Sequence, residues 1–305
     1  MSTAARTPVT PARAWLLAAR PATLPAAAVP VLVGTAVAVG EGVPLRPVVF
    51  IATLCCALLI QIGTNFANDY SDFHRGADHD GRLGPVRVTQ SGLISQSGVR
   101  RGIVVTFALA VLIGAGLAWV GGWPIIVIGV CSLLSGLAYT GGPYPLGYHG
   151  LGDLFVFIFF GLVAVSGTAY LQSGTWSVLA LALAVPVGLL VTNILVVNNL
   201  RDLPTDRAAG KHTLAVRIGA AATRAQYASF TALAYLVPVV LAVTDRSRRW
   251  LLLPLLTLPL AIALVRQVSS GVSGRELNVI LERTGKLLLL FGVLLAIASV
   301  LGRVR

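Results

Sequence analysis

Long apolar blocks separated by short polar stretches set the pattern of this chain. The blocks run from Thr23 to Val39, Pro47 to Ala67, Ile103 to Trp119, Trp123 to Tyr139, Leu154 to Leu171, Val178 to Val197, Tyr227 to Val243, Leu251 to Arg266 and Leu287 to Leu301. Each has about the length a helix needs to cross roughly 30 Å of hydrocarbon. Strict apolar–polar alternation is absent, which argues against a membrane barrel. The pattern therefore predicts an all-α, polytopic membrane bundle of about nine transmembrane helices around a central cavity, read as one membrane-embedded domain over residues 1–305. Residues 1–20 form a short segment before the first block. That block runs on into further spans and reads as an anchor, not a cleaved signal. Gly121-Gly122 leaves an unusually short link between the third and fourth blocks.

Composition agrees: 56% of the 305 residues are hydrophobic and 11% are charged, too apolar a balance for a soluble domain of this size. The net charge of +12 reads as topology signalling, with no nucleic-acid partner implied. With the N-terminus cytoplasmic, one membrane side receives 17 of the 23 basic residues, so the positive-inside bias puts the C-terminus outside. Arg246, Arg248 and Arg249 break this rule. The three cysteines, Cys55, Cys56 and Cys131, sit in apolar blocks without C-x-x-C spacing, so packing is the expected role. The four histidines match no metal motif.

Six of the 11 acidic residues fall in two segments on the cytoplasmic side, NFANDYSDFHRGADHD (Asn65 to Asp80) and NNLRDLPTDRAAGKHT (Asn198 to Thr213). Both continue an apolar helix, so Asn68 and Asp72, and likewise Asn198 and Asp202, should share a face. Carboxylates at this density repel one another unless a cation joins them. Hard oxygen donors suit Mg²⁺, which prefers one or two carboxylates plus phosphate oxygens. A diphosphate at a membrane-surface magnesium site is the expected ligand, with Arg75, Arg201, Arg207 and Lys211 at hand for its remaining oxygens. Pro204 should end the second helix and make Asp206 a loop ligand. Gly76, Gly81, Gly84 and Gly210 should let both loops bend as a lid would. Between the fourth and fifth blocks, YTGGPYPLGYHGLGD (Tyr139 to Asp153) predicts a looped backbone with Asp153 as a helix N-cap. Tyr139, Tyr144 and Tyr148 serve either as interfacial belt residues or as site aromatics facing a developing carbocation.

These segments together resemble the UbiA superfamily of intramembrane aromatic prenyltransferases, through RPATLP at Arg20 to Pro25, NDYSDFHRGAD, QSGLIS at Gln90 to Ser95, the Tyr139 to Asp153 stretch, NNLRDLPTDRAAGKHTLAVRIG and LNVILERTGKLLLLFGVLLA. Gly76 and Asp78 give the first acidic motif the form found in the 1,4-dihydroxy-2-naphthoate polyprenyltransferase branch. The resemblance implies Mg²⁺ as cofactor, polyprenyl diphosphate as donor and 1,4-dihydroxy-2-naphthoate as acceptor. The product would be demethylmenaquinone, formed with loss of CO₂ and diphosphate in a bacterial cell membrane. It assigns Asn68, Asp69, Asp72, Asp78, Asn198, Asp202 and Asp206 to the metal–diphosphate site, with the aspartates as ligands and Arg201 and Lys211 on diphosphate oxygens. Asp72, Asp202, Lys211, Arg201 and Tyr139 are the expected catalytic group. The alternatives are a related enzyme with another acceptor, such as 4-hydroxybenzoate or homogentisate, and an ion-coupled transporter. A transporter's acids would sit near mid-membrane; these lie at the ends of the apolar blocks.

Overall fold

The computed structural model describes residues 9–76 and 83–302. Eleven α-helices make up most of it: α1 (Pro11–Ala19), α2 (Pro25–Gly40), α3 (Pro47–His74), α4 (Gln96–Gly121), α5 (Trp123–Ala138), α6 (Gly152–Val156), α7 (Ala164–Ser173), α8 (Val178–Ala208), α9 (Leu214–Thr244), α10 (Leu258–Ser269) and α11 (Leu277–Leu301). No strand occurs among the described residues. A π-helical segment, Phe157–Val163, joins α6 to α7, and a 3₁₀ segment, Arg246–Thr257, leads into α10.

Local chemistry accounts for most of the boundaries. Proline opens α1, α2 and α3, where a missing N–H costs nothing. Side chains of Ser95, Ser177 and Thr213 accept from backbone N–H groups of Gly98, Ala180 and Val216 and so cap α4, α8 and α9. A single residue, Gly122 at φ 71°, ends α4 and starts α5, a conformation that a side chain would disfavour.

Seven stretches among the described residues are long and apolar enough to cross a membrane, and an eighth is reached if α1 and α2, bent by 53°, count as one span. The fourth apolar block is helical as expected, but α5 has only 16 residues. The protein is a multi-pass membrane bundle. Residues 11–19, expected as part of a short leading segment, form a helix packed on α3 through Ala14 and Ala18.

α8 is the central helix, packed against α9, α11, α2 and the π segment. Its buried Asn193 donates to the Tyr227 carbonyl at 3.1 Å and to Thr231 Oγ1 at 2.9 Å, tying α8 to α9 within the apolar layer. Glycines set the closest approach: a Cβ on Gly161 would lie 2.6 Å from Gly188 Cα, a small-residue contact of the kind that lets membrane helices pack without a hydrophobic drive. Gly188→Val is expected to lower stability by about 1–3 kcal/mol through overpacking; a shift of the thermal midpoint in detergent checks it, and an unchanged midpoint would refute the contact.

Two expectations fail here. α8 does not end before Pro204 but continues to Ala208, so Asp206 is a helical residue. About seven turns of already formed helix, plus Thr205 Oγ1 bonding back to the Asp202 carbonyl at 2.8 Å, keep the backbone in register across the missing donor. Asp153 is not an N-cap: Leu151 holds that position, and the Asp153 carboxylate instead accepts from Gln226 Nε2 of α9 at 2.9 Å.

Candidate active site

The C-terminal ends of α3 and α8 lie on the same side of the bundle and are joined by the Tyr139 to Asp153 stretch. On α3, Asn68 and Asp72 do share a face. Asn68 Oδ1 accepts from Thr140 Oγ1 at 2.7 Å, and Asp72 Oδ1 accepts from the Tyr148 hydroxyl at 2.9 Å. Arg75 donates to the carbonyls of Thr140, at 3.1 Å, and Gly142. That anchors the same loop, so Arg75 is a staple of the backbone in this arrangement. Arg87 Nη2 meets Asp72 Oδ2 at 2.9 Å, with both side chains buried.

Asp69 points elsewhere on the helix. Its carboxylate accepts from the backbone N–H groups of Val88 at 3.1 Å and Thr89 at 3.0 Å, and from the Thr89 hydroxyl. A helical step of about 100° separates it from Asn68.

On α8, Asn198 and Asp202 also face together, gathered by Arg201. This guanidinium, 1% exposed, donates to Asp202 Oδ1 at 2.8 Å and Oδ2 at 2.6 Å, to Asn198 Oδ1 at 2.8 Å and to Asn278 Oδ1 of α11 at 2.8 Å. Asn278 in turn donates to the Leu83 carbonyl at 3.0 Å. A Cβ on Gly84 would lie 2.7 Å from Arg201 Nη2, so glycine is what lets this strand of backbone lie over the guanidinium. Arg207 is exposed.

Tyr148 links the two helix ends. Besides its bond to Asp72, its carbonyl accepts from the His212 N–H at 3.0 Å, and its ring carries Arg75 at 5.5 Å and Lys211 at 5.0 Å over its face. Lys211 Nζ stands 3.9 Å from Asp206 Oδ1, and its N–H caps the Asp206 carbonyl at 2.8 Å. Burial first, and then the neighbouring Asp72 carboxylate, push the Tyr148 phenol well above its usual range, so Tyr148 stays a proton donor. Gly76 and Gly210, both at positive φ, end α3 and α8.

Below this polar layer lies apolar space. A cavity of about 130 Å³ is lined by Thr64, one turn before Asn68, and by Gly136, Tyr139, Phe155, Phe159 and Phe160. It shares Ala57, Ile60, Ser132, Phe159 and Ala164 with a larger cavity of about 570 Å³ that reaches Trp119 and Ile125 at the far end of the bundle. Of the three tyrosines, Tyr139 lines the cavity, Tyr148 sits among the charges, and Tyr144 is exposed and stacked on His149 at 3.7 Å.

Among the described residues, no three His, Cys, Asp or Glu side chains converge into a ready cation cage. The candidate donors at the two helix ends, Asn68, Asp72, Asn198, Asp202 and Asp206, are carboxylate and amide oxygens, with no thiolate or imidazole among them. That set fits a magnesium ion completing its shell from phosphate and water. Asp78 lies outside the described residues. Sequence reasoning assigned no site role to Arg87 or Asn278. The signal for Asn278 was an amide inside an apolar helical run; Arg87 lay three residues before a recognised motif.

The sequence model of the UbiA prenyltransferase family matches residues 27–277. The chain is 41% identical over 292 residues to a 1,4-dihydroxy-2-naphthoate octaprenyltransferase of Mycobacterium tuberculosis, covering 95% of this chain and 97% of that one. It is 36% identical to the protein of that name from Escherichia coli, covering 95% and 96%. In three dimensions it resembles a UbiA homolog from Archaeoglobus fulgidus bound to GPP and Mg²⁺, with a TM-score of 0.65 at 16% identity over 94% of this chain and 99% of the other.

Proposed function

The chain belongs to the UbiA prenyltransferase family, and from that membership we propose that it transfers a polyprenyl group from polyprenyl diphosphate to 1,4-dihydroxy-2-naphthoate. The observation that supports the reading is that Asn68 and Asp72 follow Thr64 on α3, one and two turns beyond a residue that with Tyr139 lines an apolar cavity, while Asp72 is joined through Tyr148 to the end of α8. A diphosphate headgroup and a long hydrocarbon tail need those two environments side by side. The names of the M. tuberculosis and E. coli relatives support the naphthoate as acceptor.

Asn68, Asp72, Asp202 and Asp206, with Asp78, are the residues that would hold magnesium at the donor diphosphate. When bound, the ion would neutralise charge that builds on the departing diphosphate. Lys211 adds a fixed positive charge next to Asp206, and Tyr148 holds a proton at its hydroxyl. The allylic C–O bond breaks with its electron pair leaving on the diphosphate, and the Tyr139 ring faces the carbon that becomes positive. The ring carbon bearing the carboxylate of the acceptor takes the prenyl carbon, CO₂ leaves, and the product is demethylmenaquinone in its reduced, quinol form. The apolar cavity keeps water from the cation. By the charge bias the polar layer faces the cytoplasm of a bacterial cell.

The test is purified protein with a polyprenyl diphosphate and each of 1,4-dihydroxy-2-naphthoate, 4-hydroxybenzoate and homogentisate. Release of CO₂ with the naphthoate alone is the expected result. A prenylated product from another acceptor and none from the naphthoate would overturn the acceptor assignment while leaving the reaction class intact.

A further inference from the structure

A cation already stands at the carboxylate where a metal is expected. Arg87 is 6% exposed and donates to Asp72 Oδ2 at 2.9 Å, while the other Asp72 oxygen takes the Tyr148 hydroxyl. The backbone just after Arg87 is tightly fixed. Val88 is wholly buried in a cluster with Ala14, Ala18, Phe66 and Val99. Ser91 Oγ bonds back to the Arg87 carbonyl at 2.6 Å, and the N–H of Ile94 bonds to the Val88 carbonyl at 3.2 Å. Asp69 takes the N–H groups of Val88 and Thr89 and the Thr89 hydroxyl. Two carboxylates three residues apart on α3 therefore act on one segment: Asp69 holds the backbone just after Arg87, and Asp72 receives its side chain.

We propose that Arg87 is a resident counter-ion at the donor site, which neutralises Asp72 and keeps free Mg²⁺ off it until a diphosphate arrives with its own cation and draws the guanidinium onto a phosphate oxygen. Asp69, on this inference, is a positioning residue that sets Arg87 and is not a metal ligand. The physical basis is competition. A buried guanidinium left without an anion is costly, so Arg87 leaves Asp72 only for another anion, and the diphosphate is the group that supplies one. Metal and diphosphate then bind with strong mutual dependence, and the metal–diphosphate complex is the true ligand. The inference rests on Asp72 belonging to the metal–diphosphate site.

Thermal unfolding of the detergent-solubilised full chain, titrated with MgCl₂, with inorganic pyrophosphate and with both, tests it without turnover. The wild type should respond strongly only to the two together. In Arg87→Gln, the Mg²⁺ concentration giving half the response without pyrophosphate should fall by about tenfold or more, while pyrophosphate at saturating Mg²⁺ should bind about tenfold more weakly, the scale of one charge-assisted hydrogen bond. Asp69→Asn should move both midpoints the same way by a smaller factor, a shift that mere loss of packing would not produce. If Arg87→Gln does not fold, Arg87→Lys carries the test, because an ammonium pairs less well with Asp72 and should also tighten free Mg²⁺. Unchanged or weaker Mg²⁺ binding in the variant that folds overturns the inference. The site reading then still stands if Asp72→Asn abolishes the joint response. A wild type without any joint response, or an Asp72→Asn chain that keeps it, would instead sink the site reading.

Discussion

Asp72→Asn is expected to lower Mg²⁺-dependent diphosphate release by about two to three orders of magnitude, the scale seen when one electrostatic partner of a developing charge is removed. The substitution keeps shape and the hydrogen bond from Tyr148, and removes the charge that faces Arg87 from 2.9 Å away. Release of inorganic pyrophosphate from a prenyl diphosphate, followed against Mg²⁺, measures it. Raising Mg²⁺ should not restore the rate, because what is lost is a ligand charge and not occupancy alone. A variant within about threefold of wild type would remove Asp72 from the reaction.

The second large effect concerns stability. Arg201→Ala is expected to cost about 3–5 kcal/mol, the usual cost of breaking one side of a buried ion pair. Asp202, Asn198 and Asn278 each lose a donor, and the space beside Gly84 opens. Arg201→Lys should recover little, since one ammonium cannot reach three acceptors arranged around a planar fork. The unfolding midpoint in detergent reads this directly, and a change of less than about 1 kcal/mol would show that Arg201 is not held as described. Arg201 ties α8 to α11 through Asn278, which itself holds the Leu83 carbonyl.

The periodicity of apolar residues located the helices well, because a span must be long and nearly uncharged and few other signals compete. It failed where the backbone solves a local problem by geometry. Pro204 does not stop α8 because the helix is already propagating through a packed environment. The π segment Phe157–Val163 has the same composition as its neighbours, and the close approach of its Gly161 to Gly188 of α8 was not legible in the sequence. For the site, acid clustering and the i, i+4 spacing placed Asn68 with Asp72 and Asn198 with Asp202 correctly. Which carboxylates are already committed to the protein was not legible. Asp69 and Asp72 look alike in sequence, yet one closes on the Val88 and Thr89 backbone and the other meets Arg87, a difference fixed by a loop about 15 residues downstream.

The two acidic helix ends differ in what lies around them. In its most apolar stretch, α8 has 78% of its residues buried by other helices, against 22% for α3. One half of the site is thus moored to the protein interior and the other to a helix whose flank is solvated by lipid tails. Tyr148 spans the two: its hydroxyl reaches Asp72 at the end of α3, and its carbonyl takes the His212 N–H just beyond α8.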